Sequence, residues 1–147
     1  MADKLTAEKI FNSLPFHCTY LSSINITTDI HEHDFFEFFL VTGGTITHLV
    51  NQEIQQLTQN SLVFIRPEDK HFFFIYKNED CFFLNFAFSK NVFNKLVNFI
   101  ENKKIKDLIK GELPPREKIS EKSKESIKNR VDKINTISPL KKEIKNI

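Results

Sequence analysis

Between His17 and about Phe88 turn-forming residues cut the chain into short apolar runs, and this punctuation restricts the possible folds more than any other feature. The breaks are Thr42-Gly43-Gly44, Asn51-Gln52, Gln59-Asn60-Ser61, Pro67-Glu68-Asp69 and Lys77-Asn78-Glu79-Asp80. They recur at the roughly 8–12 residue spacing of an all-β sandwich or barrel. The runs between them are Phe35 to Val41, Thr45 to Val50, Leu62 to Ile65, His71 to Tyr76 and Cys81 to Phe88, rich in the β-branched and aromatic side chains that suit a pleated surface. Each is too short for a core helix. Twelve of the sixteen Phe lie between Phe35 and Phe88, and runs such as Phe72-Phe73-Phe74 are apolar on both faces. Both sides of the sheet must therefore be covered, one by a barrel interior and the other by a helix or a partner subunit.

Helical periodicity flanks this region. Ala7 to Leu14 predicts one or two turns of helix, with Thr6 as N-cap and Pro15 as the stop. From Lys90 onward Val92, Phe93, Leu96, Val97, Phe99 and Ile100 form an apolar stripe that Ile105, Leu108 and Ile109 continue to Gly111, where Pro114-Pro115 soon breaks the chain. Beyond it Ile127, Val131, Ile134 and Ile137 make a narrow seam, which suits pairing with another helix, the alternative being a disordered tail. The expected division is a barrel over residues 1–89 and a helical linker or dimerisation region over 90–147.

Charge follows the same division. Residues 1–89 carry 5 Lys/Arg against 11 Asp/Glu, and residues 90–147 carry 16 against 8. In the basic part Lys and Glu alternate and the last 48 residues hold no aromatic side chain, so a solvated helical surface is expected rather than a nucleic-acid contact. Cys18 and Cys81 are isolated, no apolar leader opens the chain, and no run approaches the roughly 18 apolar residues of a membrane span. A reducing cytoplasm with both thiols reduced, and no membrane partner, is the expectation.

The segment His31-Glu32-His33-Asp34-Phe35-Phe36-Glu37 could carry chemistry. On one strand, residues 31, 33 and 37 share a face with Phe35 and Phe39, and a neighbouring antiparallel strand starting near Pro67 could add His71. Imidazoles with a carboxylate suit divalent Zn, Ni, Fe, Mn or Co. The competing reading is of ordinary polar residues at a strand entrance. Glu37 argues against it, because a carboxylate between two Phe on an apolar face is costly unless something answers it.

The spacing His31-x-His33-x3-Glu37-x5-Gly43 resembles the first motif of cupins, and Asn60 through Pro67 to His71 resembles the second. The resemblance implies a jelly-roll β-barrel followed here by C-terminal α-helices, with a metal held by His31, His33, Glu37 and His71. Asn25 and Asn60 stand where the family usually has glycine, Asp69 replaces a glycine, and His71 comes one residue early after Pro67. More narrowly, His33 to Glu37, Thr47 to Asn51, Ser61 to His71 and Asn85 to Ser89 are similar to the sensor domains of AraC-type transcriptional regulators of the chitobiose-operon kind. That likeness implies a sugar effector, a homodimer through the C-terminal helices, control of carbohydrate-utilisation genes and DNA contact only through helix-turn-helix units outside these residues.

A barrel mouth lined by Phe35, Phe39 and Phe73, with Glu37, His48 and Arg66 as polar groups, would suit a sugar, whose apolar ring face stacks on aromatics. Arg66 could equally pair with Glu68 or Asp69, and His48 could be structural. The expected function is a non-enzymatic sensor. The alternative is a stand-alone metal-dependent cupin enzyme of the dioxygenase or isomerase type, and a further one is an interaction module whose Phe residues serve an interface.

Overall fold

A computed structural model of the chain describes residues 3–11, 14–22, 29–74 and 80–137. Its strands are β1 (Asp3–Leu5), β2 (Phe16–Ser22), β3 (His31–His33), β4 (Phe36–Val50), β5 (Glu53–Thr58), β6 (Ser61–Ile65), β7 (His71–Phe74), β8 (Cys81–Phe88) and β9 (Arg116–Lys118). The helices are α1 (Ala7–Ile10), α2 (Lys90–Ile100), α3 (Lys103–Asp107) and α4 (Glu121–Ile137). The expected mainly β barrel with C-terminal helices is what the chain forms. Of the expected breaks, Lys77 to Glu79 lies outside the described residues.

The 15-residue strand β4 organises everything. Its first half pairs with β8 and β6, giving the order β2-β8-β4-β6-β9, and its second half pairs with β5 and β7, giving β1-β3-β7-β4-β5. Thr42-Gly43-Gly44 is therefore not the turn expected from its composition. It is the place where one strand passes from one sheet to the other, with a bulge against β8 between Val41 and Gly43. The tight turns elsewhere are real: Asn51, Gln52, Asn60 and Glu68 all take positive φ, and Asn60 at 71° does so where the cupin pattern has glycine.

Both faces are covered, as the doubled apolar runs require. Between the sheets lie Phe39, Val41, Ile46, Leu57, Val63, Ile65, Phe73 and Phe83. On the outer face Phe36, Phe64 and Phe88 meet Phe93 and Val97 of α2, and Leu40 and Leu84 meet Val131 of α4. Each such side chain contributes roughly 1.5–3 kcal/mol on full burial. The seam read from Ile127 and Val131 thus packs on the chain's own sheet rather than on another helix, so the homodimer expected from it loses that support.

The long stripe from Lys90 to Gly111 is two helices. Glu101 closes α2 in the left-handed conformation, at φ 50°, and Asn102 caps α3. Ser89 opens α2, its Oγ accepting from the Val92 N–H at 3.2 Å. Ser89→Ala is expected to cost about 1 kcal/mol in urea denaturation followed by circular dichroism. At the other end Thr6 makes no side-chain cap for α1; Asp34 takes that role, its Oδ1 accepting the Ala7 N–H at 2.8 Å.

Candidate functional site

The bend at Asp34-Phe35 creates the site. His31 and His33 belong to β3 in one sheet and Glu37 to β4 in the other, so the expectation of a single strand face is corrected: a bend, not alternation, brings them together. Asp34 pins it, donating its backbone N–H to the Leu5 carbonyl at 3.2 Å while its side chain caps α1. His71 arrives on β7, opposite His31 on one side and Val50 on the other.

Nitrogens of His33 and His71 and a carboxylate oxygen of Glu37 lie within 4.8 Å of one another, all three residues being buried. His71 therefore reaches the cluster despite its early position. His31 is not among the three; its Nδ1 lies 3.0 Å from the Asp29 carbonyl and its ring centroid 4.3 Å from that of His71.

The polar atoms in this cluster are unevenly served. His33 Nδ1 lies 2.7 Å from the Phe35 carbonyl, which can only accept, so the neutral ring keeps its proton on Nδ1. Its Nε2 lone pair then faces Glu37 Oε2 at 3.2 Å, an ion-pair distance without an aligned hydrogen bond. Two lone pairs so placed repel unless a proton or a cation stands between them. Burial works against charge on His33, but the neighbouring Glu37 carboxylate outweighs it and raises the imidazole above its usual value. Burial likewise pushes Glu37 up, and His33, His31 and the Asn85 amide, which donates to Oε1 at 2.6 Å, more than offset it, leaving the carboxyl below its usual range.

His71 is held well below its ordinary value by burial and by the three surrounding histidines, and burial takes His48 down to about 4, so both rings are neutral. Among the described residues His71 Nε2 is buried with no hydrogen-bond partner. A divalent cation bonds such nitrogens and oxygens at about 2.0–2.2 Å, so two ligands on one ion stand roughly 4.4 Å apart at most. Around a tetrahedral ion the separation is roughly 3.3–3.6 Å, so the three residues fit a cation once any pair as wide as 4.8 Å has closed by about 1 Å, and a cation would satisfy both imidazole nitrogens that lack a partner among the described residues.

Beside the cluster opens a cavity of about 250 Å³. Glu37, His31, His17, Thr19 and Asn85 line it with polar groups, Phe35, Phe73 and Phe83 with aromatic ones, and Leu5 and Ile10 with aliphatic ones. Of the residues expected to bind a ligand, Phe35, Glu37 and Phe73 face it. Phe39 is fully buried between the sheets, stacked on Phe73 at 4.8 Å, and His48 is fully buried behind His71. Arg66 is engaged elsewhere: Nε and Nη2 donate to the two Asp69 oxygens at 2.9 Å, and Nη1 donates to the Lys110 and Gly111 carbonyls, each at 2.9 Å. A crevice of about 320 Å³ under α4 is larger, but it is apolar apart from Arg130 and lies on the outer face, away from the polar cluster.

Three polar lining residues were not foreseen: His17, Thr19 and Asn85. They come into place by register, since His17, Ala87 and Glu37 lie side by side across β2, β8 and β4, and Thr19, Asn85 and Phe39 form the next such row. Burial lowers the His17 pKa, with Glu37 opposing. The only signal a single sequence offered was a polar Asn85 within an apolar strand.

A family model described as the AraC-like ligand binding domain matches residues 16–104. Among solved structures, ToxT from Vibrio cholerae O395, bound to (E)-4-(8-methylnaphthalen-1-yl)but-3-enoic acid, is similar with a TM-score of 0.61 at 11% identity, over 84% of this chain and 50% of that one. Another structure of ToxT from Vibrio cholerae gives 0.60 at 9% identity, over 80% and 48%. The plu4264 protein from Photorhabdus luminescens gives 0.47 at 21%, over 60% and 75%. The chain thus spans about half the length of the ToxT chains. No curated protein matches it with significance.

Proposed function

Because the chain belongs to the AraC-like ligand binding domain family, we propose that it senses a sugar on behalf of a transcriptional regulator, the effector occupying the cavity beside Glu37. Family membership supports the sensing of a ligand, without naming which. The observation that carries the sugar reading is Glu37 itself: a buried carboxylate, held by the Asn85 amide and facing His33, that opens into a cavity with three aromatic walls. Carboxylate and amide accept and donate to hydroxyls, while the Phe faces take the apolar side of a pyranose ring. The cavity is smaller than the roughly 300–1,000 Å³ of most ligand pockets, so one ring fits inside and the rest of a disaccharide lies at the mouth. By the likeness to chitobiose-operon regulators the sugar is an amino sugar and the genes controlled serve carbohydrate use. DNA is read, in this proposal, by a separate unit, and the regulator works in the cytoplasm; no helix among the described residues is long and apolar enough to cross a membrane.

We further propose that His33, Glu37 and His71 hold a divalent cation, Zn, Ni, Fe or Mn, which when bound would neutralise the Glu37–His33 conflict and fix Glu37 at the cavity wall. The proposed role is not catalytic. A metal-dependent enzyme is the second reading, favoured by the donor set, since two imidazoles and one carboxylate also serve non-haem iron oxygenases.

A thermal-shift panel of mono- and disaccharides, run with and without EDTA alongside metal analysis, decides between them. N-acetylglucosamine or its β-1,4 dimer is expected to raise the melting temperature of the wild-type chain, and Glu37→Gln is expected to lose at least tenfold in affinity by calorimetry. Saturating amino sugars that leave the melting temperature unmoved would sink the sensor. Stoichiometric iron with turnover of an oxidisable substrate would establish the enzyme instead.

A further inference from the structure

His71 Nε2 can bind a cation only if the proton of its neutral ring sits on Nδ1, because an imidazole carries one N–H and the partner of one nitrogen decides which. The partner of His71 Nδ1 is His48 Nε2, at 3.1 Å in the buried interior. Two neutral imidazoles joined in this way share one proton, and either ring can own it. If His48 owns it, the His71 proton moves to Nε2 and an N–H points into the cluster. If His71 owns it, the proton of His48 itself must sit on Nδ1, so the far side of His48 settles the matter.

On that side stands Gln55. It lies opposite His48 in the β4–β5 pair and is itself buried in a strand otherwise exposed except at Leu57. His48 Nδ1 and Gln55 Oε1 are both buried with no hydrogen-bond partner among the described residues, which leaves each as the nearest use for the other across the strand pair. An amide oxygen only accepts, so it favours the proton on His48 Nδ1. His48 Nε2 is then left to accept from His71 Nδ1–H, which frees the His71 Nε2 lone pair. The rings have little room to turn, with His48 stacked on Phe73 at 4.8 Å and His71 edge-on to His48.

We propose that Gln55 and His48 are positioning residues that fix His71 in its Nδ1–H form and so present Nε2 as a ligand to the cation held with His33 and Glu37. This rests on the cation reading above. Partners of metal ligands typically change affinity by roughly 10–100-fold when removed.

The test joins long-range ¹⁵N–¹H NMR of the imidazoles in the full-length chain, at one fixed pH, with zinc titration against a chromophoric chelator. In the metal-free wild type His71 is expected to show N–H at Nδ1 and a bare Nε2. His48→Phe, which keeps the ring packing, and Gln55→Leu are expected to weaken zinc about 10–100-fold, whereas Gln55→Glu, which keeps the acceptor, stays within a few-fold of wild type. A wild-type His71 with its N–H on Nε2, or folded His48→Phe and Gln55→Leu chains that bind zinc as tightly as wild type, overturns the proposal. Should the wild type take up no zinc, the cation reading fails by itself, and the metal-free spectrum still decides the relay; the same spectrum decides it if either variant does not fold.

Discussion

Asp69→Ala is expected to lose about 3–5 kcal/mol of stability, measured as the shift in urea midpoint by circular dichroism. Asp69 accepts the Arg66 backbone N–H at 2.8 Å, both arms of the guanidinium at 2.9 Å, and the Asn51 amide at 2.8 Å. Both ionic partners are buried, so removing the carboxylate leaves a guanidinium out of water with no counter-charge. With a total stability of roughly 5–15 kcal/mol for a domain, that loss is a large part of the whole. Arg66→Met combined with Asp69→Ala removes the stranded charge and is expected to recover part of the loss. Recovery stays incomplete because the Lys110 and Gly111 carbonyls also lose their donor. A double variant no more stable than Asp69→Ala would show that the charge is not what costs the stability.

Gly44→Ala is expected to be at least as damaging, on the order of 4 kcal/mol or more, and to yield largely unfolded protein. A Cβ there would lie 1.9 Å from the Asp80 carbonyl oxygen and 3.2 Å from the Cys81 Cα, with φ already at 74°. These obstacles are backbone, so relief requires moving the start of β8. The neighbour is the control: a Cβ on Gly43 would meet only the Phe82 ring at 3.6 Å, an ordinary contact, and Gly43→Ala should stay folded. Equal midpoints for the two variants would mean that the passage between sheets is looser than the geometry requires.

Local pattern made the strands legible. Short runs, β-branched and aromatic content and turn residues marked β6, β7, β8 and, as two separate runs, β4, whereas the largely polar β5 carried no such mark; the doubled Phe runs announced a sheet covered on both faces. Gly43-Gly44 misled because the same residues that make turns also make bulges, and only the partner β8 distinguishes the two. The site was legible where its residues are close in sequence or resemble a motif, as for His33, Glu37 and His71. His17, Thr19 and Asn85 were hidden because β2 reaches Glu37 only across β8, a register no single sequence specifies. Arg66 allowed two readings, ligand or ion pair, and Asp69 three residues on took it. The Ile127–Val131 seam was correctly seen as apolar, but periodicity does not say what the stripe packs against.

The pairing of β2 with β8 also has a consequence in time. Phe16 lies beside Phe88 and Phe36 beside Phe88 on the other side, so until β8 has been made β2 has no neighbour and the first half of β4 is paired on one edge alone, by β6. At roughly 5–20 residues added per second during synthesis, β2 waits on the order of 4–14 s. For the later part of that interval, once β4 itself has been made, its Phe-rich edge on the β8 side is open to any other strand on the ribosome or nearby. The nascent chain, rather than the finished barrel, is therefore where aggregation should begin, and slower elongation should lower the soluble yield.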